Sequence, residues 1–194
     1  MELKPDQDKW KIWPPYEAFY IESLLTITKT AIDQHELLKK VIIDQELFDK
    51  NPLVLIDLSQ NIVNQAGMLS RYLWPTKKND IYRLRGEKLR ESLSVDENNV
   101  LKNRDFRNFI EHFDENLDKF VNEVVAGFIF INRVMFNSDE IDEVTFVFRA
   151  YVINEFKFIS LSREIYLVPI IKEIYRIHNL LVDFNESGGR LPRT

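Results

Sequence analysis

The 194-residue sequence contains no cysteine and only five glycines. Without cysteine, the chain can form no disulfide and no thiolate metal site, and it has no thiol nucleophile. No apolar run approaches the ~20 residues that a transmembrane helix needs, and the charged first 19 residues lack the apolar core of a secretory signal. We therefore expect a cytoplasmic protein with no membrane segment.

The common phosphate-binding and hydrolase motifs are also missing. The sequence has no G-x-x-x-x-G-K loop, no G-x-G-x-x-G turn and no G-x-S-x-G elbow, which excludes the standard nucleotide-binding loops and a serine-hydrolase nucleophile of that type. The three histidines, His35, His112 and His178, fall on separate predicted helices, and the repeated E-x-x-H pattern of ferritin-like sites is absent. We predict no metal site and no cofactor.

What the chain does have is the composition of one folded domain, with 45% hydrophobic and 29% charged residues. Its net charge of −5 argues against indiscriminate binding of nucleic acid. The charge is uneven, because residues 77–107 hold nine basic and six acidic side chains, a local excess of +3 that leaves −8 for the rest. This window is either a local anion-binding surface or a mixed solvated face.

Helical spacing of apolar residues predicts five helices. Pro14 and Pro15 mark the start of the first, and Pro75 marks the end of the second. The predicted spans are 16–42, 53–74, 81–93, a long fourth helix from about Val100 into AGFIFINRVMF (126–136), and 168–184.

Between the last two helices the pattern changes to a period of two. TFVFRAYV (145–152) and FKFISL (156–161) alternate around plausible turn residues, which predicts a β-hairpin at about 144–161 that packs on the helices. The glycine-bearing segment 185–194 is expected to be a flexible tail. The predicted fold class is therefore mainly α: a single domain, 1–184, with a helical bundle, a small C-terminal β-hairpin and a closing helix.

The predicted fourth helix carries a polar face opposite its apolar stripe. Arg107, Asn108 and His112 lie on that face, and Asn108 and His112 are i, i+4 neighbours. A histidine can exchange a proton at neutral pH, an arginine can stabilise charge on a phosphate, and asparagine can donate and accept hydrogen bonds. Together they could cleave RNA. The same residues also suit an ordinary solvated face, with Arg107 and Glu111 spaced for an ion pair.

The stretch RNFIEH (107–112) resembles the R-N-x-x-x-H form of the R-x4-6-H motif of HEPN domains. SRYLWP (70–75), LRGEKLRESL (84–93) and LKNRDFRNFIEHFDENLD (101–118) are also similar to uncharacterised bacterial HEPN-like proteins. The resemblance implies a bundle of four or five helices and a homodimer with a composite cleft. It also implies a metal-independent endoribonuclease or RNA-binding protein of the toxin or defence kind. His112 would be the acid or base, Arg107 the phosphate ligand and Asn108 a supporting group, with Arg104 and Glu111 behind them.

A second hypothesis stays open: a non-catalytic module whose polar helical face binds a nucleotide or a protein, for instance a partner of the antitoxin kind. The two hypotheses make different structural demands. The enzyme requires His112 and Arg107 to share a cleft with the basic residues of the 77–107 window, and the module does not.

Overall fold

The computed structural model describes residues 11–77, 79–103, 112–123 and 127–193. Those ranges contain six α-helices and one four-stranded sheet. The helices are α1 (Pro14–Ile43), α2 (Gln45–Lys50), α3 (Val54–Leu73), α4 (Asp80–Ser92), α5 (Phe113–Glu123) and α6 (Leu167–Glu186), and the strands are β1 (Phe128–Met135), β2 (Thr145–Val152), β3 (Lys157–Ser160) and β4 (Arg163–Tyr166). Short 3-10 helices cover Val100–Lys102 and Ser138–Glu140.

The main core lies where α1 packs against α3 and α6. Each of these helices buries an apolar stripe, and fully buried members include Leu24 of α1, Ile62 of α3 and Ile177 of α6. The predicted helices at 16–42, 53–74, 81–93 and 168–184 are confirmed as α1, α3, α4 and α6. In the described ranges, no helix combines the length and the apolar character that crossing a membrane would demand.

The sheet has the order β1-β2-β3-β4, with β1 parallel to β2 and the other pairs antiparallel. One face of the sheet packs against the helices, because Tyr151 of β2 and its partner Phe158 of β3 belong to the main core. Phe148 lies on the opposite face, because successive side chains of a strand alternate. There its ring meets Phe113 of α5, with 6.3 Å between the ring centres. The sheet therefore lies between the helical core and α5.

The predicted fold class is wrong about the number and arrangement of the β-strands. The strands do not form a small hairpin beside an all-helical bundle, because β2 and β3 are the centre of a four-stranded mixed sheet. The segment 128–135, predicted as the end of the fourth helix, is the strand β1. Its aromatic and β-branched residues suit an extended chain, and pairing with β2 from Phe128↔Thr145 to Met135↔Val152 satisfies its backbone along one edge.

The predicted start of the fourth helix at Val100 is also wrong. Val100–Lys102 is a single 3-10 turn, which the Asn99 side chain caps by accepting from the Leu101 N–H at 3.0 Å. The Ser70 hydroxyl donates to the Leu101 carbonyl at 2.6 Å and ties this turn to α3. The described part of the later helix, α5, begins at Phe113.

Residues 187–193, within the segment expected to be a flexible tail, fold back onto α1. Gly188 and Gly189 have φ values of 97° and 69°, a conformation that glycine adopts without strain, and they reverse the chain after α6. Leu191 is then buried, and its N–H donates to the Glu17 carboxylate at 3.2 Å. The chain end thereby covers the first turns of α1.

Candidate anion-binding cleft

His112 lines an open cleft of about 470 Å³. The cleft lies where the chain leaves α3, turns through Pro75 and enters α4. Its described lining residues are Arg71, Pro75, Thr76, Lys77, Tyr82, Arg85 and His112. A volume of this size falls within the range of small-molecule sites, roughly 300–1,000 Å³.

Local sequence explains why α3 and α4 meet so closely here. Pro75 cannot continue α3, and Asn79 starts α4 by accepting a hydrogen bond from the Ile81 N–H at 2.8 Å. Gly86 lets the two segments touch, because a Cβ at this position would lie 2.7 Å from Cδ of Pro75.

Two arginines of α4 bind the end of α3. Arg90 donates to the Leu73 carbonyl, and Arg85 donates from Nη2 to the Arg71 carbonyl at 3.2 Å. Both acceptors belong to the last turn of α3, where unpaired carbonyls and the helix dipole favour positive charge. The C-terminus of α3 therefore gathers cations beside the cleft.

Aromatic rings hold the cations of the cleft in place. The Arg85 guanidinium carbon lies 5.3 Å from the ring centre of Tyr72 and 5.6 Å from that of Tyr82, and Lys77 Nζ lies 5.5 Å from the same Tyr82 centre. Tyr72 is itself fixed to α1, because its hydroxyl and that of Ser23 are 2.7 Å apart. These are cation–π distances, so the rings stabilise the charges without neutralising them.

The described residues that line the cleft carry charge of one sign. Among its described lining residues are three permanent or near-permanent cations, Arg71, Lys77 and Arg85, and no carboxylate. Arg83, two residues from Arg85 on the same helix, shows the contrast, since it contacts Asp80 at 3.1 Å and Glu87 at 2.7 Å. The cleft thus suits an anionic ligand, and the planar guanidinium fork suits a phosphate or a carboxylate.

His112 stands directly before α5 and fixes the start of that helix. Its carbonyl accepts from the Asn116 N–H at 3.0 Å and from the Asn116 side-chain amide at 2.6 Å. Its exposed imidazole lies with Nδ1 3.4 Å from Oε1 of Glu115. A carboxylate at this distance can fix the orientation of the ring.

Of the predicted site residues, His112 alone can be placed. Arg104, Arg107, Asn108 and Glu111 lie outside the described residues. The structure adds Arg71, Lys77, Tyr82 and Arg85, none of which the sequence analysis selected. A signal for two of them was present, because Lys77 and Arg85 belong to the basic 77–107 window.

A second cluster of polar groups is structural. Lys157 is only 2% exposed, and its Nζ lies 2.6 Å from Oε2 of Glu155, 2.9 Å from Oε1 of Glu164 and 2.6 Å from the Ser138 hydroxyl. Burial alone would lower the pKa of Lys157, but the hydrogen bonds to Glu155 and Glu164 raise it overall. A lysine that keeps its proton cannot activate the nearby Ser138 as a base. In the part of the chain that the structure describes, no group of three or more His, Asp or Glu side chains could hold a metal ion.

Comparison of the chain with family models, curated proteins and solved structures found no match. What the cleft does must therefore be judged from the charge and geometry of its own residues.

Proposed function

We propose that the protein is a metal-independent endoribonuclease that binds RNA in the cleft, with His112 as the proton-transfer group. One observation supports this most directly: His112 lines the same cleft as Arg71, Lys77 and Arg85. An acid–base group beside several cations is a combination that suits phosphodiester cleavage when no metal ion takes part.

In the proposed reaction, the ribose 2′-oxygen attacks the adjacent phosphorus as the bond from phosphorus to the 5′-oxygen breaks. The 2′-hydroxyl loses its proton to a base, and the leaving 5′-oxygen gains a proton from an acid. The products are a 2′,3′-cyclic phosphate and a 5′-hydroxyl. His112 serves one of these two transfers and Glu115 orients its imidazole. Arg107, the predicted phosphate ligand, stabilises the charge on the phosphorane, and the cations of the cleft bind the RNA backbone.

Arg107 and Asn108 keep the roles that the RNFIEH motif predicts for them, as phosphate ligand and supporting group. The homodimer, a protein partner of the antitoxin kind and the cytoplasmic location likewise stay predictions from the sequence. None of them is needed for the first test.

The alternative is binding without cleavage, in which the cleft holds a nucleotide or the phosphates of an RNA. The exposed position of His112 favours this alternative, because a solvated imidazole paired with Glu115 can also be a surface ion pair. The second function keeps the cations as ligands and gives His112 no chemical role.

The test is incubation of the purified chain with a mixed pool of labelled RNAs in the presence of EDTA. We expect cleavage by the wild type and a loss of about 10²–10⁴-fold in His112→Ala, with a large loss in Arg107→Ala as well. Substrates with 2′-deoxy residues should resist cleavage, because the nucleophile is missing. His35→Gln, which changes a histidine between α1 and α6, is the matched control and should cleave like the wild type.

Three readouts separate the hypotheses. Loss of cleavage in His112→Ala, with unchanged circular dichroism and RNA affinity, supports the enzyme. RNA binding by the wild type with no cleavage of any substrate supports the binding module. Equal cleavage by the wild type and His112→Ala would exclude His112 from the chemistry.

A further inference from the structure

Arg85 is held more firmly than a surface arginine usually is. Its guanidinium contacts the rings of both Tyr72 and Tyr82, and its Nη2 donates to the Arg71 carbonyl. An arginine has five N–H donors in a rigid fork. The buried Nε of Arg85 has no hydrogen-bond partner among the described residues, and these residues provide no carboxylate to Arg85. Among the described residues, the Arg71 carbonyl is thus the one hydrogen-bond acceptor of the Arg85 guanidinium, which keeps further N–H donors for a ligand.

A second cation shares one of these rings. Lys77 Nζ and the Arg85 guanidinium lie 5.5 Å and 5.6 Å from the centre of Tyr82. Two like charges around one ring repel each other, and the carboxylates of α4 do not line the cleft to offset them. A bound anion would reduce this repulsion, so the arrangement favours a ligand of negative charge.

We propose that Lys77, Tyr82 and Arg85, here called the cation shelf, form a phosphate subsite for single-stranded RNA. This subsite holds a phosphate next to the one that reacts at His112. Lys77 and Arg85 are the ligands, while Tyr72 and Tyr82 act as positioning residues for Arg85. The inference rests on the proposed function for the identity of the ligand and adds a binding subsite outside the RNFIEH motif.

The geometry also bears on which RNA is bound. Sequence-tolerant sites for single strands combine cations that follow the backbone with rings on which bases stack. In the cation shelf, the ring of Tyr82 is engaged by Lys77 and Arg85, so it offers little face to a base. The cleft is open to solvent on one side, so a strand longer than the cleft can bind without entering an enclosed cavity. We therefore expect the affinity for RNA to increase with the number of phosphates and not to depend on the identity of the bases.

The experiment measures binding separately from cleavage. The probe is a fluorescein-labelled 2′-O-methyl oligonucleotide of about eight residues, within the usual site size of single-strand binders, and its blocked 2′-oxygen prevents cleavage. Fluorescence anisotropy gives its Kd with the full-length chain over a series of salt concentrations. Each phosphate contact contributes about −0.7 to the slope of log K against log salt.

We expect Arg85→Ala and Lys77→Ala each to weaken binding about tenfold and to reduce the steepness of the salt slope by about 0.7. Arg85→Lys should keep the slope and lose affinity, because a charge remains but the fork is gone. The matched control is Arg83→Ala. Arg83 is about 200° around α4 from Arg85, contacts Asp80 and Glu87, and should bind like the wild type.

Lys77 keeps the test valid if Arg85→Ala folds poorly, because Lys77 is an exposed loop residue whose loss removes nothing from the core. Equal slopes for the Lys77, Arg85 and Arg83 variants would overturn the inference. So would a polyglutamate peptide that competes as well as an oligonucleotide of equal charge, since the cleft would then be a protein-docking site. Binding that depends on the shelf but without cleavage of RNA would remove the proposed enzyme and leave the subsite. Cleavage that is unchanged in Lys77→Ala and Arg85→Ala would remove the subsite and leave the proposed enzyme.

Discussion

Replacing Gly86 with alanine tests whether the close contact of α3 and α4 builds the cleft. A Cβ at this position would lie 2.7 Å from Cδ of Pro75, 2.8 Å from the Leu73 carbonyl oxygen and 3.3 Å from Nη1 of Arg90. The first two atoms are stiff, one in a proline ring and one in the backbone, so α4 itself must move to relieve the overlap. The same movement would shift Arg85 away from the Arg71 carbonyl.

Two opposing effects determine how much Gly86→Ala changes the free energy of unfolding. Alanine is favoured over glycine inside a helix by about 1 kcal/mol, which would raise the free energy of unfolding. Overpacking costs about 1–3 kcal/mol, and two contacts below 3.0 Å against rigid atoms belong at the upper end of that range. We expect a net loss of about 1–2 kcal/mol, which corresponds to a Tm lower by roughly 2–8 °C for a chain of this size.

Urea unfolding followed by circular dichroism measures the free energy, and anisotropy measures the affinity for the oligonucleotide. Arg83→Ala is the control for a new alanine on α4. The ion pairs of Arg83 with Asp80 and Glu87 are exposed to solvent, so their loss should change the stability little. We expect Gly86→Ala to lose both stability and RNA affinity. A Gly86→Ala protein more stable than the wild type would refute the claim that the contact is tight. Reduced stability with unchanged affinity would show that the cation shelf does not depend on how α4 is seated.

Two further predictions concern pH. Burial lowers the pKa of His178 below 6.5, so the unfolded chain binds a proton at this side chain more readily than the folded chain does. The contribution of neutral His178 to the free energy of unfolding is therefore complete above about pH 6.5 and decreases as the pH falls below that value. Urea midpoints at several pH values should decline less steeply below this point in His178→Gln. The hydrogen bond from Lys157, with those from Ser138, lowers the pKa of Glu155 to about 2 from 4.5, so its contribution, present above about pH 4.5, is lost as the pH falls towards 2. Glu155→Gln should be less stable than the wild type at neutral pH. In thermal scans from pH 6 to pH 2, its Tm should fall by less than the Tm of the wild type.

The helices of the main core are predictable from the sequence because their signals are local. The predicted span 53–74 differs from α3, Val54–Leu73, by one residue at each end. Proline fixes the boundaries, and the apolar stripe at helical spacing fixes the buried face. Neither signal depends on a distant part of the chain.

The strand β1 was not predicted because its signal is not local. FIFINRVM is a nearly continuous apolar run, which periodicity alone cannot assign to helix or strand. What decides is pairing with β2, which begins 17 positions further along at Thr145. β1 is also an edge strand with several exposed residues, including Phe128, Ile129 and Ile131. The alternation typical of a half-buried strand is therefore missing.

The candidate site also combines a residue with a local sequence signal and residues that only the fold brings together. His112 could be selected from the RNFIEH pattern, because a histidine near an arginine on a polar face has recognisable chemistry. Lys77 and Arg85 could be assigned only to the basic 77–107 window, because neither their spacing nor the net charge of the window shows which of its nine basic residues lie beside His112. Their convergence depends on the turn at Pro75 and on the missing side chain of Gly86.

The cations of the cleft do not all require the same explanation. Arg85 and Arg90 bind carbonyls at the end of α3, so helix capping alone accounts for their presence, whether or not the cleft has a ligand. Lys77 is different, because within the described ranges its contact is the ring of Tyr82, with no ion pair or hydrogen bond. A charge without a structural task is the better indicator of a ligand. Binding that depends on Lys77, in a variant of unchanged stability, therefore speaks for an anion site more strongly than any effect of Arg85.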